Sequence, residues 1–456
     1  MFSFLYSEQK KMRQNAENWL EVADRVYKYR RDQLNDSQLN RLAAASGEVK
    51  LRLKEKADAS KIKMSVESLE GVLRDTGGRI YPMSSIVENV EFFLVAAIVI
   101  LGLRAYFVQP FKIPTNSMWP TYYGMTAEVF QKGEEPGVVG KIARLATLGA
   151  SNYVVTAPAD GEVYIATYGN VQYMSPITSE KSGRTLLVFP ATLKEYFFSV
   201  DGRVTSVAVP AEFNFNKLLK DTFFGNTPGR LEGVLGEVGR NLPTAEQSRL
   251  LVRLRGQSGE ARVTWLPIGK KVKKGESILN FDILTGDLLF VDRFTYNFFP
   301  PKVGQGFVFK TENIHSPAML DPYTGEQTQQ YYIKRLVGQP GDQLEVKKPK
   351  TSMADGAPVD LTNAEGQLFR NGAPIDGAEA FGKNSRKEGL YPGYTAAGNL
   401  SYGQTLTVPG HSYFAMGDNS PDSSDGRFWG FVPEKDVVGR PLFIYYPLTS
   451  RWGPAR

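Results

Sequence analysis

Cysteine is missing from this chain and histidine is scarce, and both shortages limit the chemistry that it can perform. Among 456 residues there is no cysteine, and the only histidines are His315 and His411. Thiol catalysis, disulfides and cysteine-based zinc sites are therefore excluded, as is a histidine-rich metal centre. A Ser-His-Asp site would need one of the two histidines, yet His411 follows a Pro-Gly turn and His315 lies in a polar loop. Neither has the strand-end or apolar setting of a catalytic histidine.

Charge of one sign is not in large excess either. The net charge is +6 and the isoelectric point is about 9.0. So mild a bias gives no support for nucleic-acid binding, and it is compatible with a surface that lies against anionic lipid. A hydrophobic fraction of 42% with 12% aromatic residues indicates a globular protein. The length suits about two or three domains.

The first third of the chain holds helical patterns and one long apolar run. Residues 1–85 are rich in charge and carry apolar residues at helical spacing, which predicts a solvated helical hairpin. Residues 92–103 are uncharged and almost all apolar, and the run continues past Arg104. Extended in this way it spans about 26 Å as a helix, so we predict a transmembrane helix over residues 86–108. The core of this run alone would also suit a buried helix, and the flanking charges do not orient it.

Short alternating runs broken by Gly, Pro and Asp predict a β-rich region over residues 125–283. Residues 157–163 and 269–278 resemble the two halves of a lipoyl-type barrel-sandwich fold. The tip of the first half has no lysine for modification. We therefore expect a structural module here rather than a cofactor carrier.

The remainder of the chain, from residue 285 onward, also predicts strands. The runs that read as strands are 286–292, 306–310, 331–337 and 343–346. Asn371-Gly372 stands between two short apolar runs, which predicts a type I′ hairpin turn.

Ser117 is confined by prolines at positions 114 and 120. Proline fixes its own φ and favours extended geometry in the residue before it, so we predict a restrained, non-helical turn. Thr115 could place its hydroxyl on the same side as Ser117. Considered alone, Ser117 is an ordinary serine in a proline-rich loop, and it becomes a nucleophile only if a base is present.

Lys334 is the candidate base. Strand alternation places it on one face with Tyr332 and Leu336, while Arg335 points to the other face. A lysine among apolar neighbours has a lowered pKa and can be neutral near pH 7. The alternative is a solvated lysine at the edge of a sheet.

Residues 417–430 form a loop dense in Asp, Ser, Asn and Gly, residues that favour turns. Asp425 and Arg427 can pair and pin this loop. Three further side chains could hold a neutral lysine in place, those of Asp418, Asn419 and Ser423. An ordinary surface loop is the alternative, and a calcium site is a weak competitor because the carboxylate spacing is not that of a calcium loop.

Four motifs, taken in their order along the chain, resemble those of type I signal peptidases. The motifs are residues 113–121, Gly286-Asp287 with the strand that follows, residues 332–342 and residues 417–430. Members of that family are membrane-anchored endopeptidases with a Ser-Lys dyad, and they remove signal peptides from exported preproteins.

The resemblance assigns roles to seven residues. It implies Ser117 as the nucleophile and Lys334 as the general base. Thr115 would donate its hydroxyl to the oxyanion hole beside the backbone N–H of Ser117, and Ser423 would orient the lysine. The supporting residues would be Asp418, Asp425 and Arg427. It implies no metal and no organic cofactor.

The resemblance also implies the fold and its division. We expect a mainly β catalytic domain of coiled antiparallel sheets with a large β-rich insertion, one transmembrane helix and an N-terminal helical region. The catalytic domain would comprise residues 109–124, 284–350 and 405–450, with a peripheral lobe at 351–404 and the barrel-sandwich-like insertion at 125–283. This chain departs from the family pattern in that insertion, in Gly426 at a usual serine position, and in Asn116 at a variable position.

For location and partners, the resemblance implies a single-pass protein of the bacterial plasma (inner) membrane. Its N-terminal residues 1–85 would be cytoplasmic and its catalytic domain extracytoplasmic. Substrates would be secretory preproteins with small residues at −1 and −3. Membrane lipid would be contacted through Trp119, Phe298 and Phe299, and nucleic acid would not be a partner. Two alternatives stay open: a specialised or inactive relative, and a membrane-anchored adaptor built on the lipoyl-like halves.

Overall fold

The chain forms two compact units, Met1–Gly102 and Leu103–Arg456, in a computed structural model. The structure describes residues 8–82, 85–170, 173–185, 189–225, 227, 229–241, 246–254, 257–320, 325–348 and 366–455.

Residues 8–82, the described part of the first unit before the apolar run, form three packed helices rather than the two of the predicted hairpin. They are α1 (Glu8–Arg30), α2 (Asp36–Lys54) and α3 (Ala59–Thr76). Asn35 and Gln38 form a reciprocal capping box at the start of α2, and the Asp58 side chain accepts from the backbone of α3. Because each cap satisfies free N–H groups at a helix start, the charged stretch is divided twice rather than once.

Helix α4 (Ser85–Tyr106) follows and contains the long apolar run. The span Ile86–Tyr106 has a mean hydropathy of 2.2, and its side chains are not buried by the rest of the protein. Its length and composition suffice to cross a bilayer. The helix stops two residues before the predicted end, since Val108 already belongs to the first strand.

The second unit is mainly β, as the sequence predicts. Its elements in chain order are β1 (Val108–Lys112), β2 (Thr126–Val129), α5 (Val138–Leu148), β3 (Ser151–Thr156), β4 (Gly161–Asn170), β5 (Tyr173–Pro176), β6 (Thr178–Thr185), β7 (Phe189–Val200), β8 (Arg203–Pro210), α6 (Phe215–Phe223), α7 (Leu231–Asn241), β9 (Glu246–Leu254), β10 (Gln257–Val272), β11 (Ser277–Leu284), β12 (Leu288–Asp292), β13 (Gly306–Lys310), β14 (Tyr331–Gly338), β15 (Gln343–Lys347), β16 (Gln367–Arg370), β17 (Ala373–Pro374), α8 (Glu379–Arg386), β18 (Thr405–Thr407), β19 (Ser412–Met416), α9 (Gly426–Trp429), β20 (Val432–Pro433), β21 (Val437–Tyr446) and β22 (Gly453–Pro454).

The largest sheet joins distant parts of the chain. Its strand order is β1-β12-β21-β13-β14-β19-β20, with β22 beside β21, and every pairing is antiparallel. The four predicted strand runs from residue 286 onward all appear, as β12, β13, β14 and β15. Strand β1 directly follows α4, so the sheet begins where the apolar helix ends.

Residues 125–283 form two further sheets around their own core. One has the order β6-β7-β4-β10-β9, with β5 beside β4 and β8 beside β7, and the other has the order β2-β11-β3. The two lipoyl-like half-motifs meet: Gly161 pairs with Val272, and the N–H of Ala157 donates to the carbonyl of Glu276 over 2.8 Å. Assignment of this segment as an inserted barrel-sandwich module stays a prediction.

A small sheet, β17-β16-β15-β18, packs with α8. The predicted type I′ turn is confirmed: Asn371 and Gly372 connect β16 to β17 with φ values of 52° and 81°. Residues 351–365 of the predicted peripheral lobe lie outside the described residues.

The helical unit offers a direct test of its core. Leu69 of α3 is fully buried, so Leu69→Ala should lower the free energy of unfolding of the bundle by about 2–5 kcal/mol. Faster amide hydrogen exchange across α1, α2 and α3 in the detergent-solubilised chain measures this loss. Leu51→Ala removes the same atoms from an exposed position of α2 and should change exchange little. Equal exchange in the two variants contradicts the described packing.

Candidate active site

Ser117 lies in the nucleophile loop, defined here as residues 113–125. Asn116–Met118 form a single 3-10 turn, so the predicted non-helical geometry is wrong for the serine itself. The flanking residues are extended, with φ −113° and ψ 158° at Thr115 and φ −61° and ψ 141° at Trp119. Extended geometry at Trp119 is what the following proline favours. The prolines therefore limit the helical turn instead of preventing it.

Lys334 lies on β14, opposite Phe307 of β13, and its side chain reaches the serine. Its Nζ donates a hydrogen bond to Ser117 Oγ over 2.5 Å. Lys334 is 4% exposed and Ser117 is 8% exposed, so water has little access to the pair. The Tyr332 ring centre lies 5.6 Å from Nζ. The lysine is thus buried, as the strand pattern predicts, and it contacts the candidate nucleophile.

Burial sets the protonation of this lysine. It lowers the pKa of Lys334 from 10.5 to about 8, because the charged form loses its hydration. The nearby Asp425 and Asp418 carboxylates raise the pKa and the Arg427 guanidinium lowers it, and these effects are smaller than that of burial. A lysine with this pKa can take a proton from a serine hydroxyl near neutral pH.

The predicted ion pair between Asp425 and Arg427 is present and buried. Arg427 Nη2 lies 2.8 Å from Asp425 Oδ2, and Nε donates to Oδ1 over 2.8 Å. Asp425 Oδ2 also accepts the backbone N–H of Gly417, and Arg427 Nη2 donates to the carbonyl of Ser420. One bidentate pair therefore holds both ends of the loop.

Asp418 and Asn419, expected to hold the lysine, bind other groups instead. Both Asp418 oxygens accept from Arg335, each over 2.6 Å, and Thr121 Oγ1 donates to Oδ2 over 2.5 Å. The Asn419 side chain donates to the carbonyl of Asn116 over 3.0 Å. Asp418 binds Arg335 rather than Lys334 because Arg335, on the opposite face of β14, is a charged bidentate partner.

Ser423 is buried beside the nucleophile, and within the described residues its Oγ has no hydrogen-bond partner. A Cβ on Gly417 would overlap both Ser423 Oγ and the carbonyl oxygen of Ser117, so this close packing requires glycine. Thr115 is exposed, and its hydroxyl has no partner in the described part of the chain. The roles of Ser423 and Thr115 stay predictions.

Neither histidine serves this site. Both side chains are exposed, and His411 Nδ1 lies 3.1 Å from Glu434 of its own loop region. The structure thus agrees with the expectation that a base other than histidine is needed.

Three contacts of the nucleophile loop were not predicted. Arg335 Nη2 donates to Thr121 Oγ1 over 3.2 Å. Asp287, fully buried, accepts the backbone N–H of Tyr123 over 2.8 Å and pairs with Arg451. The Asn116 side chain bonds to the backbone of Gly124 and Met125 at the end of the loop. The sequence signals were Arg335 beside Lys334 on a largely apolar strand, and Asp287 in the Gly286-Asp287 motif.

The Arg335–Asp418 pair generates a stability prediction. Asp418→Asn leaves a buried guanidinium without its carboxylate and should lower the free energy of unfolding by about 3–5 kcal/mol. Chemical denaturation of the solubilised protein, followed by the fluorescence of buried Trp429, measures the change. Asp422→Asn makes the same substitution at an exposed position of the same loop and should leave the midpoint nearly unchanged. Identical midpoints for both variants contradict the assigned role.

Comparison with known proteins shows where this chain has relatives. Residues 273–446 match the sequence model of the family described as "Signal peptidase, peptidase S26", and Ser117 lies outside that match. The "Probable signal peptidase I-1" of Synechocystis sp. is 32% identical over 168 residues, 37% of this chain and 66% of the relative. Signal peptidase I of Buchnera aphidicola subsp. Baizongia pistaciae is 49% identical over 49 residues, 11% of this chain and 16% of the relative. The chain therefore spans less than two thirds of the length of these relatives.

A solved structure is also similar in sequence. A crystal structure of a signal peptidase I from Enterococcus faecalis V583 is 24% identical, with a TM-score of 0.21, over 31% of this chain and 97% of that chain. The sequence matches confirm the expected resemblance: residues 273–446 of this chain are similar to the signal peptidase family, peptidase S26.

Proposed function

We propose that this chain is a membrane-bound serine endopeptidase that cleaves N-terminal signal peptides from exported preproteins. Ser117 acts as the nucleophile and Lys334 as the general base. The observation that carries the proposal is the 2.5 Å hydrogen bond between Lys334 Nζ and Ser117 Oγ, with both side chains buried. The relatives named signal peptidase I supply the substrate class.

The reaction begins when neutral Lys334 accepts the hydroxyl proton of Ser117. The Oγ then attacks the scissile carbonyl carbon, and the resulting oxyanion is stabilised by the backbone N–H of Ser117 and the hydroxyl of Thr115. Protonated Lys334 gives its proton to the leaving amine, which departs as the new N-terminus. Water, deprotonated by the same lysine, hydrolyses the acyl-enzyme and restores both residues.

The two buried arginine–carboxylate pairs favour this cycle. Asp425 faces Arg427 and Asp418 faces Arg335, so each negative charge near the lysine has a positive partner. Without the arginines, the carboxylates would stabilise the ammonium form and raise the pKa of Lys334. The pairs thus fix the loop, and Arg427 limits the rise in the pKa of Lys334 that the carboxylates cause.

The apolar helix α4 anchors the enzyme in this proposal, with the N-terminal residues on the cytoplasmic side and the catalytic domain outside. Cleavage on the outer face fits substrates that are crossing the membrane. Phe298 and Phe299 are 64% and 66% exposed, and aromatic side chains of this kind favour the lipid interface. Trp119 is only partly exposed, so it is the weaker lipid contact.

Preprotein cleavage by paired variants tests the proposal. Ser117→Ala and Lys334→Ala should each lower kcat/KM by at least about 1,000-fold, because nucleophile and base act as one unit. The measurement is cleavage of a preprotein with alanine at −1 and −3 by the detergent-solubilised protein. Ser424→Ala and Lys302→Ala, at exposed positions, are the matched controls.

Three results would count against this proposal in different ways. Undiminished cleavage by both Ser117→Ala and Lys334→Ala would contradict the roles of these residues as nucleophile and base. Failure of the wild type on every ordinary preprotein favours the specialised or inactive relative. Full function of both variants in cells, without cleavage, favours the membrane-anchored adaptor.

The rate should depend on pH through the lysine. Because its pKa is lowered to about 8, roughly one Lys334 in ten is neutral at pH 7. We expect kcat/KM to rise about tenfold per pH unit below pH 8 and to level off above it. A profile measured between pH 5 and 10 checks this, and a rise centred near 4 or 6.5 would indicate a carboxylate or imidazole base instead.

A further inference from the structure

Asn116, the residue before the nucleophile, ties together the two ends of the nucleophile loop. Its Nδ2 donates to the carbonyl of Met125 over 2.9 Å, and its Oδ1 accepts the N–H of Gly124 over 2.9 Å. The N–H of Met125 also donates to the carbonyl of Pro114 over 3.1 Å. The side chain thus uses the donor and the acceptor of its amide at once.

The far end of this contact belongs to the β-rich segment. Met125 is followed by β2, whose residues pair with β11 from Thr126 opposite Leu284 to Val129 opposite Phe281. Phe281 is fully buried in the core of that segment. Asn116 therefore binds the backbone where the 125–283 segment begins. The packing of that segment fixes the position of this backbone.

The opposite side of Asn116 is held by the 417–430 loop. The Asn419 side chain donates to the carbonyl of Asn116 over 3.0 Å, and the Asn419 N–H donates to the carbonyl of Ser117 over 3.0 Å. Asn116 is thus held from two sides, and Ser117 is held by the 417–430 loop. The start of the β-rich segment binds the side chain of Asn116. The 417–430 loop binds the backbone carbonyls of Asn116 and Ser117.

We infer that Asn116 is a positioning residue through which the 125–283 segment holds Ser117 against Lys334. The inference rests on the proposed peptidase function. Loss of the Asn116 side chain removes its bonds to Gly124 and Met125. The Ser117 Oγ can then move relative to Lys334 Nζ. Movement of this part of the loop also admits water to the buried lysine, whose pKa then rises toward its ordinary value.

Asn116→Ala tests the inference, with Asn297→Ala as the control. The Asn297 amide also bonds a backbone carbonyl, but at an exposed position outside the nucleophile loop. We expect Asn116→Ala to lower kcat by about 10- to 100-fold with little change in KM. The acid limb of its pH profile should move to higher pH. Asn116→Asp keeps the acceptor for Gly124 but lacks the donor for Met125, so it should recover part of kcat.

Amide hydrogen exchange supplies a readout that does not depend on activity. The N–H of Gly124 loses its acceptor in Asn116→Ala, so exchange at residues 122–125 should be faster than in Asn297→Ala. Unchanged exchange there overturns the inference. A lower kcat for Asn116→Ala whose pH profile keeps its acid limb in place also overturns the inference. That result would indicate only a smaller folded fraction.

The inference and the proposed function fail in distinguishable ways. If wild type cleaves no preprotein, the proposed function fails, and exchange at residues 122–125 alone decides whether Asn116 holds the loop. If wild type cleaves and Asn116→Ala matches it in kcat and pH profile, the positioning role is overturned while the peptidase stands.

Discussion

The site depends on a lysine that is buried yet has a serine hydroxyl as its hydrogen-bond partner. Removal of water is what lowers the pKa of Lys334 from 10.5 to about 8, and that shift corresponds to roughly 3 kcal/mol. The unfolded chain holds the proton up to about pH 10.5, whereas the folded site releases it near pH 8. Burial therefore costs stability in full below pH 8, and the cost declines as pH rises between these values. The rest of the domain must supply this energy.

Two buried ion pairs lie near Lys334 and hold the 417–430 loop in place. Asp418 and Asp425 hold the loop, but each would also attract a proton to the lysine. Arg427 opposes their effect on the pKa of Lys334, and both Arg335 and Arg427 donate hydrogen bonds to backbone carbonyls. Buried pairs of this kind contribute little net stability, but they are costly to break, so they favour one arrangement of the loop over others.

Local rules were sufficient for part of this site. The shortage of histidine and the strand pattern around Lys334 favoured the proposed pairing of Lys334 with Ser117, and the close spacing of Asp425 and Arg427 predicted their ion pair. Sequence spacing and strand alternation could not predict which residues, distant in the chain, pair with one another. Strand alternation places Arg335 on the other face of β14 but cannot say that Asp418 covers it. Nor does any short-range pattern connect Asn116 to Gly124, since their bond depends on how the nucleophile loop folds back on itself.

Gly417 couples two positions that sequence variation would otherwise sample independently. Its missing side chain leaves room for both the Ser423 hydroxyl and the Ser117 carbonyl. A side chain at position 417 overlaps both of them, and removing the hydroxyl at position 423 leaves the overlap with the Ser117 carbonyl. In a combinatorial library over these two positions, we therefore expect the members that keep this packing to share glycine at position 417, whatever residue stands at position 423.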